Sequence, residues 1–449
     1  MSEKTNYSHS QPTSRRQFLK TSGTVVVGGA LASQLSFPAI TSAAGNGTLR
    51  LGLIGCGGRG TGAAEQALHA DGDVILTAMA DVFENRLQTS LGALKGNKTV
   101  SPKSNQPLSD QVKVDPDHCF IGLDAYRKVL DSDVDVVILA TPPGFRPLHL
   151  KASVDAGKHI FCEKPMATDA PGVRSVLATV DESKKKDIAL VAGFCWRYDY
   201  ARRAIFERIH DGDVGDIRAI YATYYTGPVR PMPSLSERKP DMTELEWQLL
   251  NWYNFVWLCG DSLVEQAVHS VDKMAWAMKD VPPLKAVAVG GRQIPNPGGN
   301  IYDHFEVNYE YANGVRGFMG SRQQANCYNQ NADYIIGTKG TGLIGVRGGA
   351  PEIVGEQNWK YDGPGNNMYQ TEHDEFFASI RNGKHINDGV RMIHSTMMAI
   401  MGRMAAYTGE EISWDQALNS QENLMPADLS WDMKLEAAPM AMPGVTRFI

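Results

Sequence analysis

A glycine-rich turn stands between two predicted strands. The apolar run Leu49–Ile54 leads into Gly55-Cys56-Gly57-Gly58-Arg59-Gly60, a helical pattern follows, and the apolar run Val74–Ala80 ends at Asp81. Glycines let a backbone approach a pyrophosphate, a helix N-terminus offers oriented N–H groups, and a carboxylate after the second strand accepts hydrogen bonds from ribose hydroxyls. This order of elements predicts a dinucleotide-binding site rather than a simple tight turn. Its predicted contacts are Gly55, Gly57, Gly58, Arg59, Gly60 and Asp81.

Two charged residues after the second strand bear on which nicotinamide cofactor fits. The carboxylate of Asp81 repels the 2′-phosphate of NADP and hydrogen-bonds the free 2′-hydroxyl of NAD. Arg86 lies about one helical turn further on and offers a cation for a 2′-phosphate. The sequence therefore favours NAD, with NADP as the less favoured alternative.

Polar residues follow two further predicted strands. Thr141 and Pro142 come directly after the strand that ends at Ala140, and Glu163 and Lys164 follow the short strand that ends at Cys162. In an open parallel sheet, ligands bind beyond the carboxyl ends of the strands. We therefore expect these four residues to meet near the nicotinamide end of the cofactor.

These motifs resemble those of the Gfo/Idh/MocA oxidoreductase family, and the resemblance covers essentially the whole chain after the first 43 residues. It rests on the glycine-rich turn, Asp81, Ala140-Thr141-Pro142, Gly157-Lys158-His159, Glu163-Lys164-Pro165 and the segment Gly260–Asp272. The resemblance implies that Lys164 and His269 are the catalytic pair of an oxidoreductase acting on carbohydrate hydroxyls. The family commonly has Asp four residues before this histidine, whereas this chain has Glu265.

The same three residues make chemical sense on their own. Transfer of a hydride from an alcohol needs a base for the hydroxyl proton and a cation to stabilise the developing alkoxide. Histidine suits the first role near neutral pH, and a partly desolvated lysine suits the second. Glu265 and His269 are four residues apart, so on a helix the carboxylate would orient the imidazole. The alternatives are a structural histidine and a surface lysine at the end of a strand.

Several other residues are weaker candidates. Arg197 and Tyr198 follow the predicted strand Ile188–Phe194 and either contact cofactor and substrate, respectively, or pack structurally. Three more polar residues are candidate substrate contacts: His304, Arg322 and His373. Five aromatic residues between Trp247 and Trp257 suit stacking on a sugar ring, but such spacing is also typical of a core or a subunit interface.

The elements predict an α/β fold with two domains. Residues 44–166 form a Rossmann dinucleotide-binding domain on which residues 167–212 pack, and residues 213–449 form an α+β domain for substrate binding and oligomerisation. Several strand patterns after Ile217 have no helix between them, which indicates a large, mostly antiparallel open sheet. The polar stretch 95–117 is expected to be a surface loop, and the glycines of 337–349 are expected to form turns between strands.

Residues 1–43 have the composition of a twin-arginine signal peptide. Ser14-Arg15-Arg16-Gln17-Phe18-Leu19-Lys20 precedes a mildly apolar run, and small residues follow it. The apolar run is shorter than the ~20 residues that a membrane span needs, so we expect export and no integral span after cleavage, rather than a membrane-anchoring helix. The six cysteines include no close pair, and a protein exported in the folded state favours buried free thiols and no metal site.

The net charge of −6 offers no basic surface for nucleic acid. The leading hypothesis is an exported, periplasmic NAD(P)-dependent oxidoreductase acting on a sugar, polyol or glycoside, and forming a homo-oligomer. Little free nicotinamide cofactor exists outside the cytoplasm, so we expect the cofactor to stay bound through turnover. The alternatives are redox-neutral cleavage of glycosides with the same bound NAD, and a non-catalytic dinucleotide-binding sensor.

Overall fold

The computed structural model describes residues 47–449. The predicted signal peptide at residues 1–43 lies outside the described residues. Among residues 47–449, no helix combines the length and apolar character needed to cross a bilayer.

The first sheet is built from six parallel strands in the order β3-β2-β1-β4-β5-β6. The strands are β1 (Leu49–Ile54), β2 (Val74–Asp81), β3 (Cys119–Ile121), β4 (Val136–Leu139), β5 (His159–Cys162) and β6 (Leu190–Ala192). The connecting helices are α1 (Gly58–Ala70), α2 (Glu84–Gly96), α3 (Ala125–Asp131), α4 (Arg146–Asp155) and α5 (Ala170–Lys185). The strand order reverses between β1 and β4, which opens a crevice at the carboxyl ends of these two strands. The predicted Rossmann sheet is confirmed.

The second sheet has nine strands in the order β14-β13-β12-β11-β7-β10-β9-β8-β15. They are β7 (Ile217–Thr226), β8 (Lys285–Gly291), β9 (His304–Glu310), β10 (Arg316–Gln323), β11 (Asp333–Gly337), β12 (Gly340–Ile344), β13 (Glu352–Gly355), β14 (Trp359–Lys360) and β15 (Ile412–Ser413). Strands β7 and β10 pair in parallel, and every other pair in the sheet is antiparallel. The prediction of a large, mostly antiparallel sheet is confirmed.

Further helices follow α5 in the chain, and several of them pack on the second sheet or against elements of the first domain. They are α6 (Tyr200–Asp211), α7 (Glu244–Leu250), α8 (Val256–Cys259), α9 (Val268–Ala277), α10 (Met368–Arg381), α11 (Gly389–Thr408) and α12 (Trp414–Asn419). Helix α11 is buried along most of its length. Helix α10 follows β14 of the second sheet in the chain, yet its Phe376, Phe377 and Ile380 share an apolar cluster with Leu51 of β1. The sequence limits of the two domains remain a prediction.

Two segments differ from their predicted form. Strand β12 lies inside the glycine-rich stretch that is expected to form turns. Its Gly342 is buried, and a Cβ added to Gly342 would lie only 3.0 Å from Ile209 Cδ1. The stretch 95–117 is partly buried rather than a surface loop, because Gln111 Nε2 donates to the carbonyls of Leu68 and Val74 at 3.0 and 2.8 Å.

The cysteines divide by exposure. Cys56, Cys162, Cys195 and Cys259 are buried free thiols, as predicted. The expectation of burial is wrong for two: Cys119 is half-buried and Cys327 is exposed.

Candidate active site

The glycine-rich turn is packed on one side and open on the other. Gly55 has a φ of +98°, and a Cβ there would lie 2.7 Å from the backbone carbon of Ala140. A Cβ at Gly60 would lie 1.9 Å from the carbonyl oxygen of Gly55. A Cβ added to Gly57 or to Gly58 would have no atom of another residue beyond its chain neighbours within 4 Å. The turn thus leaves free space at the N-terminus of α1, which fits a pyrophosphate.

A cleft of about 660 Å³ runs along this turn. Nine of the predicted cofactor contacts line it: Gly55, Gly57, Gly58, Arg59, Gly60, Asp81, Arg86, Thr141 and Pro142. Asp81 is held beside the turn, because its carboxylate accepts hydrogen bonds from the backbone N–H of Cys56 at 2.7 Å and of Phe83 at 2.9 Å. The guanidinium of Arg86 lies over the ring of Phe83 at 4.9 Å.

A second cavity, of about 320 Å³, adjoins this cleft. Lys164, Glu265 and His269 all line it, although 101 residues separate Lys164 from Glu265. Arg59 and Thr141 line both spaces, so the cleft shares a wall with the cavity that holds the predicted catalytic pair.

Lys164 and Glu265 form a buried ion pair. The Lys164 Nζ lies 2.9 Å from Glu265 Oε1 and also donates to the backbone carbonyl of Glu265. Each side chain is only 9% exposed, so solvent screens the pair little. The prediction that Glu265 orients His269 is wrong. Glu265 lies on a π-helical turn, Leu263–Ala267, whereas His269 belongs to α9. The carboxylate of Glu265 forms its ion pair with the Lys164 ammonium instead.

His269 is held as a neutral imidazole. Its Nδ1 is buried and has no hydrogen-bond partner among the described residues. Its ring packs against Trp196 with 5.2 Å between the centroids. Burial, and then the positive charges of Lys164, Lys273 and Arg202, hold the pKa of His269 well below its usual range. A neutral imidazole at the cavity wall can accept a proton from a substrate hydroxyl.

Glu163 ties the end of β5 to the glycine-rich turn. Its Oε1 lies 2.9 Å from Arg59 Nε, and the Arg59 guanidinium lies 5.2 Å from the centre of the Tyr369 ring. A Cβ at Gly193 would lie 2.6 Å from Glu163 Oε2, so only glycine leaves room for this carboxylate. Glu163 lines the smaller cavity together with Lys164.

The predicted contact Thr141 is fixed by residues of the next helix. Its hydroxyl lies 3.1 Å from Nδ1 of His149, and Arg146 donates to its carbonyl at 2.8 Å. Burial, with the charge of Arg146, lowers the pKa of His149 to about 3. His149 is therefore a neutral hydrogen-bonding partner at the cleft.

Arg197 and Tyr198 lie outside both spaces. Arg197 makes a buried bidentate pair with Asp272, at 2.9 Å for each nitrogen, and also pairs with Asp280. Burial lowers its pKa, but these carboxylates outweigh burial and raise it overall. The Tyr198 hydroxyl lies 3.4 Å from Asp388 in the core. The structure therefore places both residues in packing roles, the second of the alternatives.

The three remaining substrate candidates also lie outside the cavity. His304 contacts Asp303 at the start of β9, and Arg322 donates to the carbonyl of Tyr328. His373 is fully buried and stacks on Phe161 with 4.0 Å between the ring centres. Their polar character suggested a pocket, but the sheet register and the packing of α10 direct them elsewhere.

Several residues of the two spaces were missed from the sequence. They are Arg146, His149, Trp196, Tyr224, Arg230 and Tyr369. None belongs to a motif, and each comes from a segment that only the fold brings to the strand ends. The aromatic stretch 247–257 is mostly core, as its spacing indicated, but Trp252 lines both spaces and Tyr253 lines the smaller one.

A turn open to a pyrophosphate, at the point where the order of a parallel sheet reverses, defines a dinucleotide-binding protein of the Rossmann class. Two family models match the chain: "Oxidoreductase family, NAD-binding Rossmann fold" over residues 49–191, and "GFO/IDH/MocA C-terminal domain" over residues 203–342. Together they cover more than half of the sequence. The chain belongs to the GFO/IDH/MocA family of NAD-binding oxidoreductases.

Individual relatives are distant. Inositol 2-dehydrogenase of Rhizobium meliloti is 25% identical over 296 residues, which cover 65% of this chain and 74% of that protein. A glycosyl hydrolase family 109 protein of Solibacter usitatus is 28% identical over 215 residues, 47% of this chain and 46% of that protein, so the match spans about half of its length. A solved levoglucosan dehydrogenase, in complex with NADH and levoglucosan, superposes with a TM-score of 0.61 at 18% identity, covering 82% of this chain and 99% of that chain. This last likeness shows the shared fold.

Proposed function

We propose that this protein is an exported oxidoreductase that keeps NAD bound and transfers a hydride to or from a hydroxyl-bearing carbon of a sugar, polyol or glycoside. The observation that carries the proposal is that Lys164 and His269 line one cavity that adjoins the cofactor cleft. The names of the relatives, an inositol and a levoglucosan dehydrogenase, agree with this substrate class.

The residues of the cavity divide the work of alcohol oxidation. His269 is neutral and takes the hydroxyl proton, while the Lys164 ammonium stabilises the negative charge that develops on the oxygen. Glu265 holds Lys164 in place through their ion pair. Bound NAD supplies the hydride acceptor, so the carbon loses a hydride and the oxygen loses a proton to give a carbonyl. In the reverse direction, the same groups return the proton.

A substrate screen with matched variants tests this proposal. Polyols, aldoses and glycosides are screened by the absorbance of reduced nicotinamide. On any substrate found, Lys164→Ala and His269→Ala should each lower kcat by about 100-fold or more, because each removes a proton-transfer or charge-stabilising group. His304→Ala, a histidine outside both spaces, is the control and should keep the wild-type rate. Wild-type rates in both cavity variants would overturn the catalytic assignment and favour a non-catalytic sensor.

Redox-neutral cleavage of glycosides is a second candidate, which the resemblance to a glycosyl hydrolase family 109 protein favours. Oxidation at carbon 3 of a sugar acidifies the hydrogen on carbon 2, so the group on carbon 1 can be eliminated. Water addition and return of the hydride then complete a cycle with no net redox change. Release of an aglycone from nitrophenyl glycosides without added acceptor would support cleavage. A 3-keto sugar with an intact glycosidic bond would contradict it.

Export and cofactor retention are separate parts of the proposal. Export rests on Arg15 and Arg16, and a double substitution to lysine should leave the protein in the cytoplasmic fraction. Retention follows from the scarcity of free nicotinamide cofactor beyond the membrane. Mass spectrometry of the denatured, purified protein should find about one NAD per chain. Fully active protein free of nucleotide would contradict retention.

A homo-oligomer is proposed through the outer face of the second sheet. Val287 and Val289 of β8, Ile336 of β11 and Val354 of β13 point to the same face and are 40% to 70% exposed. Apolar patches of this kind commonly mark interfaces. Sedimentation should show a dimer or tetramer that Val289→Lys weakens, and a monomeric wild type at micromolar concentration would refute the proposal.

A further inference from the structure

One wall of the cofactor cleft comes from a segment far from the glycine-rich turn in sequence. Arg230, Leu249 and Trp252 line the cleft, and Arg230 and Trp252 also line the smaller cavity. The Arg230 guanidinium lies 5.8 Å from the centre of the Trp252 ring. Residues 230–252, which we call the cleft wall, therefore border the cofactor space and the catalytic space together.

The three arginines that line the cleft have different partners. Arg59 is paired with Glu163, and Arg86 lies over the ring of Phe83 within the field of the Asp81 carboxylate. Of the ion pairs formed within residues 47–449, none includes Arg86 or Arg230. Arg86, however, donates a hydrogen bond to the carbonyl of Leu250 at 3.4 Å. The pyrophosphate of a dinucleotide carries two negative charges, and a cation without a carboxylate partner can neutralise part of that charge at little cost.

The C-terminal segment, residues 420–449, packs against the cleft wall and is hydrogen-bonded to it. Gln248 of α7 donates to the carbonyl of Leu435 at 2.8 Å and accepts from Trp257 Nε1 at 2.7 Å. The ring of Trp431 lies 6.4 Å from that of Phe83, which follows β2 beside the cleft. One apolar cluster contains residues of both segments: Leu245, Trp247, Leu249, Trp252, Leu429, Met433 and Leu435. The packing of the cleft wall thus depends on the C-terminal segment.

We propose that the cleft wall is a cofactor-retaining element. Arg230 binds the negatively charged pyrophosphate of the dinucleotide, and the C-terminal segment slows release by holding Leu249 and Trp252 against the cleft. The inference rests on the proposed function, since it concerns the same bound NAD. It adds a binding residue, Arg230, and a positioning segment, 420–449, that carry no dinucleotide motif.

The test measures the release of NAD from the purified holoenzyme. The protein is diluted, free nucleotide is removed at intervals by rapid gel filtration, and the remaining bound NAD is quantified by chromatography after denaturation. Arg230→Gln should release NAD about ten-fold faster or more, the loss of one charge-assisted contact. The control is Arg218→Gln, an exposed arginine that lines neither space. Equal release rates for the wild type and Arg230→Gln would overturn the role of Arg230.

Salt dependence separates a charge effect from a loss of packing. Release from the wild type should accelerate as ionic strength rises, because salt screens the contact between Arg230 and the pyrophosphate. Release from Arg230→Gln should respond less to salt. An identical salt response in the two proteins would contradict binding of the pyrophosphate by Arg230.

A second pair of variants tests the C-terminal segment. Trp431→Ala removes the contact with Phe83 and should release NAD about three-fold faster, whereas Trp359→Ala, a half-buried tryptophan on β14, should not. No change in the rate of NAD release in Trp431→Ala would overturn the role of the C-terminal segment.

The NAD-release measurements need no carbohydrate substrate. Failure of the substrate screen, with the release rates as expected, would refute the proposed reaction and leave this inference standing.

Discussion

At the residue scale, the arrangement of the cavity depends on the partner that Glu265 takes. Spacing along one helix suggested His269, but the carboxylate pairs with Lys164 at 2.9 Å. A buried ammonium needs a counter-charge more than a neutral imidazole needs an orienting group. We therefore propose that Glu265 acts through Lys164, as a positioning residue for the cation.

Substitutions at Glu265 should separate charge from reach. Glu265→Gln removes the charge that holds Lys164 and should lower kcat by about ten-fold or more with little change in KM, because the group is needed when charge develops. Glu265→Asp keeps the charge on a shorter side chain and should recover part of kcat. Steady-state kinetics on the best substrate measure both. Equal losses in the two variants, or a change in KM alone, would contradict the positioning role.

The pH profile should reflect the neutral state of His269. Its pKa lies well below the ordinary value because the residue is buried beside Lys164 and Lys273. A base is active when unprotonated, so activity is lost only as pH falls through the lowered pKa. We expect kcat/KM to show no loss from His269 between about pH 8 and 6, the range in which an unperturbed histidine titrates. An acid limb near pH 6.5 that disappears in His269→Gln would contradict this expectation.

At the element scale, the strand ends and the glycine-rich turn were predictable from local pattern. The runs before Gly55, Asp81, Thr141 and Glu163 are short and apolar, and each forms a buried parallel strand. The π-helical turn before α9 was not predictable, because its residues have the same apolar spacing as an ordinary helix. Strand β12 was not predicted because glycines are typical of turns. Here one of them, Gly342, is a strand residue that leaves room for the Ile209 side chain.

Two glycines should respond oppositely to alanine. Gly60→Ala places a Cβ 1.9 Å from the Gly55 carbonyl oxygen, so the turn must open, and both stability and NAD content should fall. Gly92→Ala, in α2, meets nothing within 4 Å and should stabilise the protein by about 0.5–1 kcal/mol through helix propensity. Thermal unfolding and nucleotide content of the purified variants measure the effects. A Gly60→Ala protein with wild-type NAD content would show that the turn does not need glycine there.

At the scale of the whole molecule, buried titratable groups couple stability to pH. Helix α10 returns to the first sheet and buries His373 against Phe161, where neither ring nitrogen has a hydrogen-bond partner among the described residues. Burial, and then the charge of Arg59, hold the pKa of His373 well below its usual range. Below about pH 6.5 the unfolded chain therefore binds a proton that the folded chain excludes.

The stability that neutral His373 allows is present above about pH 6.5 and is lost as pH falls toward the lowered pKa. His373→Phe removes this proton uptake. Between pH 7.5 and 5, the wild type should lose about 2 kcal/mol of unfolding free energy relative to His373→Phe. The loss accrues at about 1.36 kcal/mol per pH unit, and only over the roughly 1.5 units below pH 6.5. Urea unfolding of both proteins across this range measures the difference. Parallel pH curves would show that His373 takes up a proton as readily in the folded protein as in the unfolded chain.

The sequence by itself determined the class of the two sheets, the cofactor type and the residues that line the cleft at the strand ends. These features depend on the order of neighbouring elements: a glycine-rich turn follows one strand, and a carboxylate follows the next strand. Residues that are close in the chain encode this order. The tertiary structure alone decided that Glu265 pairs with Lys164, that Arg197 pairs with Asp272, and that Arg230 borders the cleft. Each of these depends on segments that lie far apart in sequence and meet only through packing, where burial and charge select the partner.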